Sequence, residues 1–268
     1  MDSGGEELGY EEVYRERLDE TKGMITLATL LDSLNQDVEG MRYDSVMQGA
    51  YRVAKRANPN GIPSAVPDAT LVASVIRSNA KLMIYNIIEY SVTSLLQAVY
   101  DRIEDEGCSY ADVSEKLQLL WHRAQLHDKL NNPSANNETA ERLSKRLLDF
   151  VVTKAVVQID ARDTIPGGNL DADKILRLFD RHGISVHDDV ANCRTDKIRE
   201  ELKDVKDRRN DLAHGSISFA EAGNQVTTSE LAELISHVDG FLTQLHNDVQ
   251  SYLESGEYRN DPAERENR

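Results

Sequence analysis

The chain has 268 residues, 40% of them hydrophobic and 29% charged, with only six prolines; that length holds one large or two small domains, and the composition suits a mostly helical protein. A net charge of −16 excludes a broad basic surface for nucleic acid, so any such contact is local or assembled by oligomerisation. Cys108 and Cys193 stand far apart and match no metal spacing, no apolar run reaches membrane length, and residues 1–7 lack the basic start and apolar core of a secretory signal; the expectation is a cytoplasmic protein with reduced cysteines, no metal, no cofactor and no membrane contact.

Residues 1–8 read as frayed. From Tyr10 to Val38 the spacing of Leu18, Ile25, Ala28, Leu31, Leu34 and Val38 predicts a helix, weakened midway by Gly23. The segment after it is poorly patterned, and Asn58-Pro59-Asn60-Gly61-Ile62-Pro63 with Pro67 predicts a turn-rich connection. A boundary belongs there: an N-terminal helical arm over residues 1–60, packing on the rest or serving a partner, and a helical domain over 61–256.

Asp68 or Thr70 caps the next helix, which runs to about Glu104 and stops at Gly107. Leu82, Met83, Ile84, Ile87, Ile88, Val92, Leu95, Leu96 and Val99 ring its middle, as in a central helix. Asn79, Asn86, Glu89, Thr93 and Gln97 fall on one face within about 80°. That stripe is either the water-facing side or a polar seam in which Glu89 serves as counter-ion to an arginine and Asn86 as a phosphate or ribose contact.

Residues 109–130 read as an amphipathic helix carrying Trp121, His122 and His127; the histidines are five apart, off the spacing that puts two metal ligands on one face. A turn at 131–134 precedes a helix from Glu138 to Asp160. The loop Ile165-Pro166-Gly167-Gly168-Asn169 lacks the lysine ending of a phosphate cradle. Asp171 to His182 is a short helix, and His187-Asp188-Asp189 reads as loop.

The next helix carries the chemistry. Ile198, Leu202, Val205 and Leu212 mark one face, and Arg209 occupies the empty slot in that stripe, where a permanent cation needs a carboxylate, a phosphate or a hydrated cleft. Gly215 supplies the stop, placing His214 in the last turn, where the helix dipole attracts a cation. A fixed cation and a titratable base roughly 7 Å apart along one axis suit phosphodiester chemistry; the plainer reading is a salt-bridged arginine and a capping histidine. Arg177 with His182 and Arg181 with His187 have similar spacing, but those arginines lie beside Asp173 and Asp180 on a solvated face. Residues 216–226 read as a non-helical excursion, and Thr227 or Thr228 caps a last helix striped by Leu231, Leu234, Ile235, Val238, Leu242, Leu245, Val249 and Tyr252. The tail from 257 to 268 reads as disordered.

Arg209-Asn210-Asp211-Leu212-Ala213-His214-Gly215 resembles the signature of the HEPN superfamily: an arginine, a polar residue and a histidine after four to six positions. Ser218-Phe219-Ala220-Glu221-Ala222-Gly223, the helix from Thr228, and Ile84-Tyr85-Asn86-Ile87-Ile88-Glu89 extend the resemblance over roughly 68–258, toward a prokaryotic defence-associated branch. It implies an all-α, up-and-down helical bundle that forms a homodimer with the two motifs in one cleft. It also implies metal-independent RNA cleavage by Arg209, Asn210 and His214, with Asn86, Glu89 and Arg208 around them. The products are a 2′,3′-cyclic phosphate and a 5′-hydroxyl, and the role is that of a toxin or antiviral effector held by an antitoxin or defence-complex partner. The competing class is a non-catalytic dimer serving as a scaffold subunit.

Overall fold

A computed structural model describes residues 5–36, 41–58, 68–131, 140–165, 169–187 and 195–260. These residues form ten helices: α1 (Gly5–Gln36), α2 (Met41–Ala57), α3 (Ala69–Asp105), α4 (Glu115–Asn131), α5 (Ala140–Val152), α6 (Ala161–Thr164), α7 (Ala172–His182), α8 (Thr195–Ala213), α9 (Phe219–Asn224) and α10 (Thr228–Ser255). Among the described residues the only β pairing is two isolated bridges, Ser109 with Val156 and Val113 with Arg259. The fold is all-α.

The chain divides into two compact units, one of residues 1–87 and 203–238, the other of 88–202 and 239–268. The division falls inside α3, α8 and α10. Residues 59–67, where the sequence places a domain boundary, lie outside the described residues.

In the first unit α1 buries Leu18, Thr21, Ile25 and Ala28, one face at helical spacing, and α2 packs against it. An ion pair fixes α1 to α3: Arg77 Nη1 donates to both Asp32 oxygens at 2.6 and 2.8 Å. The N-terminal helix is thus packed onto the unit. Asp68 caps α3 by accepting from the Leu71 amide at 3.0 Å. α2 escaped the sequence reading because it holds no leucine or isoleucine and carries a glycine, Gly49, at its middle.

The second unit is built around Trp121, Phe179, Phe241, Leu96, Ile103, Leu117, Leu170 and Tyr258, all buried. Trp121 stacks on Phe150 with ring centroids 4.5 Å apart. α4 packs against α6 and α7. Within this unit His182 is fully buried: its Nδ1 donates to the Leu178 carbonyl oxygen at 2.7 Å, its Nε2 meets the Tyr100 hydroxyl, and Tyr252 donates to its carbonyl oxygen at 2.8 Å.

Two expected helices are shorter than the apolar pattern implies. Residues 109–114 are a turn, closed by the Asp112 carboxylate accepting from the Ser109 amide at 2.9 Å and hydroxyl at 2.6 Å, and α4 starts only at Glu115. α5 stops at Val152; Lys154 takes a positive φ of 53°, and the chain runs extended, with the Val157 amide donating to the Cys108 carbonyl oxygen at 2.9 Å. The valines at 151, 152, 156 and 157 fit either period, and bridge pairing decides. Residues 257–260, which the sequence reading gave to the tail, are held in the second unit: Tyr258 is buried and its hydroxyl donates to Glu106 at 2.6 Å. Among the described residues α3 is long and apolar enough to cross a membrane by length and composition, contrary to the sequence reading, yet half of that window is buried inside the protein.

Candidate active site

α8 presents Ile198, Leu202 and Val205 as buried residues at helical spacing, and Arg209 comes next on the same stripe, half-buried. The helix ends in a Schellman motif. The Gly215 amide donates to the Leu212 carbonyl oxygen at 3.2 Å, the Ser216 amide to that of Asp211 at 2.8 Å, and Gly215 has φ +70°. His214 is therefore the capping residue itself, just past the last full turn, with its side chain exposed and its amide bonded to the Asn210 carbonyl oxygen at 2.9 Å. Glycine is required at 215 because the positive φ strains any residue with a Cβ.

The segment from Ser218 to Glu230, which follows this end, is anchored on α3. Residues 219–224, expected to be non-helical, form α9, capped by a box in which Ser218 and Glu221 satisfy each other's amides. The Ser-x-x-Glu spacing is present in the sequence and is the signal that could have found the helix. Gly223 sits so tightly on α3 that a Cβ there would come within 1.7 Å of the Ser74 carbonyl oxygen. Its own carbonyl oxygen accepts from Arg77 Nε at 2.9 Å. A second box, Thr227 with Glu230, starts α10.

Arg77, Lys81 and Tyr85 lie four residues apart on α3, a single row. Arg77 pairs with Asp32, and Lys81 with Asp204 on α8. The third position faces the candidate arginine: the Arg209 guanidinium carbon lies 5.4 Å from the centroid of the Tyr85 ring. Arg209 Nη1 also donates to Asn210 Oδ1 at 3.2 Å. No carboxylate among the described residues pairs with Arg209. Within its unit the cation instead meets an aromatic face, which the expectation of Glu89 as counter-ion did not include. Sequence reasoning missed Tyr85, since an aromatic in an apolar helix reads as core.

Asn86 is exposed on α3, one position beyond Tyr85 and so turned about 100° around the axis; no contact joins it to the motif. Arg208 is half-buried and makes no ion pair among the described residues. Three members of the polar stripe have partners away from the motif: Asn79 donates to the Val75 carbonyl oxygen at 2.8 Å, Thr93 to that of Glu89 at 2.7 Å, and Gln97 donates to Asp101 at 2.7 Å while accepting from the Ala161 amide at 3.1 Å.

The competing Arg…His pairs are consumed by structure. Burial pushes the His182 imidazole down to about 4, against the partly offsetting bond to Leu178. His187 Nδ1 donates at 2.6 Å to Asp248, a carboxylate almost wholly buried. Asp173 and Asp180 pair with Arg199 and Lys116 rather than with Arg177 and Arg181. Asp188, Asp189 and Cys193 lie outside the described residues, as does the side chain of His127. Among the described residues no three His, Cys, Asp or Glu side chains gather as a metal set. A cavity of about 520 Å³ in the second unit is lined by Glu106, Cys108, Asp112 and Arg259, and by none of the motif residues.

No curated protein and no solved structure matches the chain. The family model of the HEPN_MAE_28990-like HEPN domain matches residues 11–258, which takes in α1 and α2 as well as the motif helix. With nearly the whole chain matched, and with Arg209, Asn210 and His214 together at the end of α8, the protein belongs to the HEPN_MAE_28990-like HEPN family.

Proposed function

We propose that this protein is a metal-independent endoribonuclease acting as a toxin or anti-phage defence effector, through a homodimer that brings two copies of Arg209, Asn210 and His214 to one cleft. The ribose 2′-oxygen attacks the adjacent phosphorus, the bond from phosphorus to the 5′-oxygen breaks, and the ends are a 2′,3′-cyclic phosphate and a 5′-hydroxyl. An imidazole takes the proton of the 2′-hydroxyl, an imidazolium returns one to the 5′-oxygen, and Arg209 stabilises the charge of the phosphorane between. Asn210, bonded to Arg209, orients the phosphate or the guanidinium. A partner protein holds the activity off or directs it.

The observation that carries this reading is the cation held on a ring without a neutralising carboxylate, five residues ahead of an exposed imidazole. Family membership supports it at the coarser level, since HEPN proteins are commonly ribonucleases and include non-catalytic members. The test compares wild type, His214→Ala and Arg209→Ala on RNA in a chelator, with a matched strand carrying 2′-deoxyribose at the cut site. The histidine change should lower the rate about 10²- to 10⁴-fold and the arginine change about 10²- to 10³-fold, and the deoxy strand should survive. Cleavage of the deoxy strand, or equal rates in all three proteins, overturns it. The net charge of −16, which repels RNA, favours the second reading, a dimeric scaffold subunit. On that reading wild type and His214→Ala bind the partner alike and neither degrades RNA when expressed at matched levels.

A further inference from the structure

The geometry points to Tyr85 as the positioning residue that holds Arg209 in place without neutralising it, so that it can meet a phosphate; this rests on the ribonuclease reading of the site. Three cations share the surface that the first unit's half of α3 offers. Arg77 and Lys81 are each discharged by an aspartate, Asp32 and Asp204. At the third place in the row the residue is a buried tyrosine, 1% exposed, and the cation above it is Arg209 at 5.4 Å. A carboxylate there would fix the guanidinium equally well, but it would neutralise it and compete with the phosphorane for its N–H groups. The π-face attracts the cation without adding charge and without accepting its N–H groups as a carboxylate would. One of those donors is engaged by Asn210 at 3.2 Å. Tyr85 touches no reacting atom; it acts through Arg209, at the phosphorane, whose non-bridging oxygens carry the most negative charge.

Because a buried ring also packs, the experiment must change its electrostatics and not its shape. Replacing Tyr85 by phenylalanine and then by mono-, di- and trifluorinated phenylalanines keeps the ring's outline while draining the negative charge from its face. Cleavage by Tyr85→Phe sets the reference, so that the hydroxyl is absent throughout. From there kcat should fall stepwise, by about 3- to 30-fold at three fluorines, with KM within about threefold. In an Arg209→Ala background the same series should be flat. A flat series in the Arg209 protein, or equal slopes in both backgrounds, overturns the proposal while leaving the ribonuclease reading intact. Wild-type protein inert on every RNA offered would sink that reading itself, and the positioning role with it.

Discussion

A Cβ on Gly223 would come within 1.7 Å of the Ser74 carbonyl oxygen, so alanine there forces α9 away from α3 and breaks the bond from Arg77 Nε. The obstacle is backbone and has no rotamer to adopt, which puts Gly223→Ala at about 2 kcal/mol or more of lost stability, read from denaturant midpoints. Gly215→Ala meets nothing within 4 Å and pays only for its positive φ, about 1 kcal/mol. His182 makes stability depend on acid. Its pKa is about 4 in the fold and about 6.5 unfolded. Above both values the imidazole is neutral in either state and its contribution is complete. Between them the unfolded chain binds a proton that the buried ring refuses, so stability falls as pH drops, by up to about 1.4 kcal/mol per unit. Urea midpoints for wild type and His182→Gln between about pH 7 and pH 4 should diverge in slope over that window, the variant being flatter.

At the scale of elements, α1 is tied to the first unit by Asp32. Arg77 has a side chain only 10% exposed, so Asp32→Ala strands a nearly buried cation whose remaining partner is the Gly223 carbonyl oxygen. The loss should be about 2 kcal/mol, and a Leu substitution at Arg77 in the same protein should recover part of it, because a neutral side chain needs no partner. The helices that the sequence makes plain are those with long single-face stripes or strong ends: α3 with Asp68, α7 with Asp171, and α8 and α10. What it hides has a physical cause in each instance. α2 has no leucine or isoleucine and a glycine at its middle, α9 is short and declared only by its capping box, and residues 109–114 and 153–160 continue an apolar pattern but are claimed by a closed turn and a bridge. At the site, Arg209 on the apolar stripe and glycine at 215 are readable from spacing. The partner of Arg209 is not, because a contact from α3 to α8 spans more than a hundred residues of chain.

Taken as a whole molecule, the chain carries −16, and a dimer would carry twice that. Such a field opposes a polyanion at distances beyond a single contact, and salt screens it. RNA capture should then speed up as ionic strength rises from about 20 to about 150 mM, the reverse of the usual slope for nucleic-acid-binding proteins. Stopped-flow association of a labelled, deoxy-blocked strand would read it, and a rate that falls over that range would count against the dimer as the RNA-capturing species.

The row on α3 sharpens this. Of its three neighbouring cations, two are already spoken for by aspartates, and only the one resting on an aromatic ring has attraction left to give. A strand that drifts past meets a net repulsive field, against which that cation supplies a local attraction. On the proposed ribonuclease reading, such a molecule would take up bulk transcripts slowly, and delivery of the strand by a partner protein would be the step that arms it.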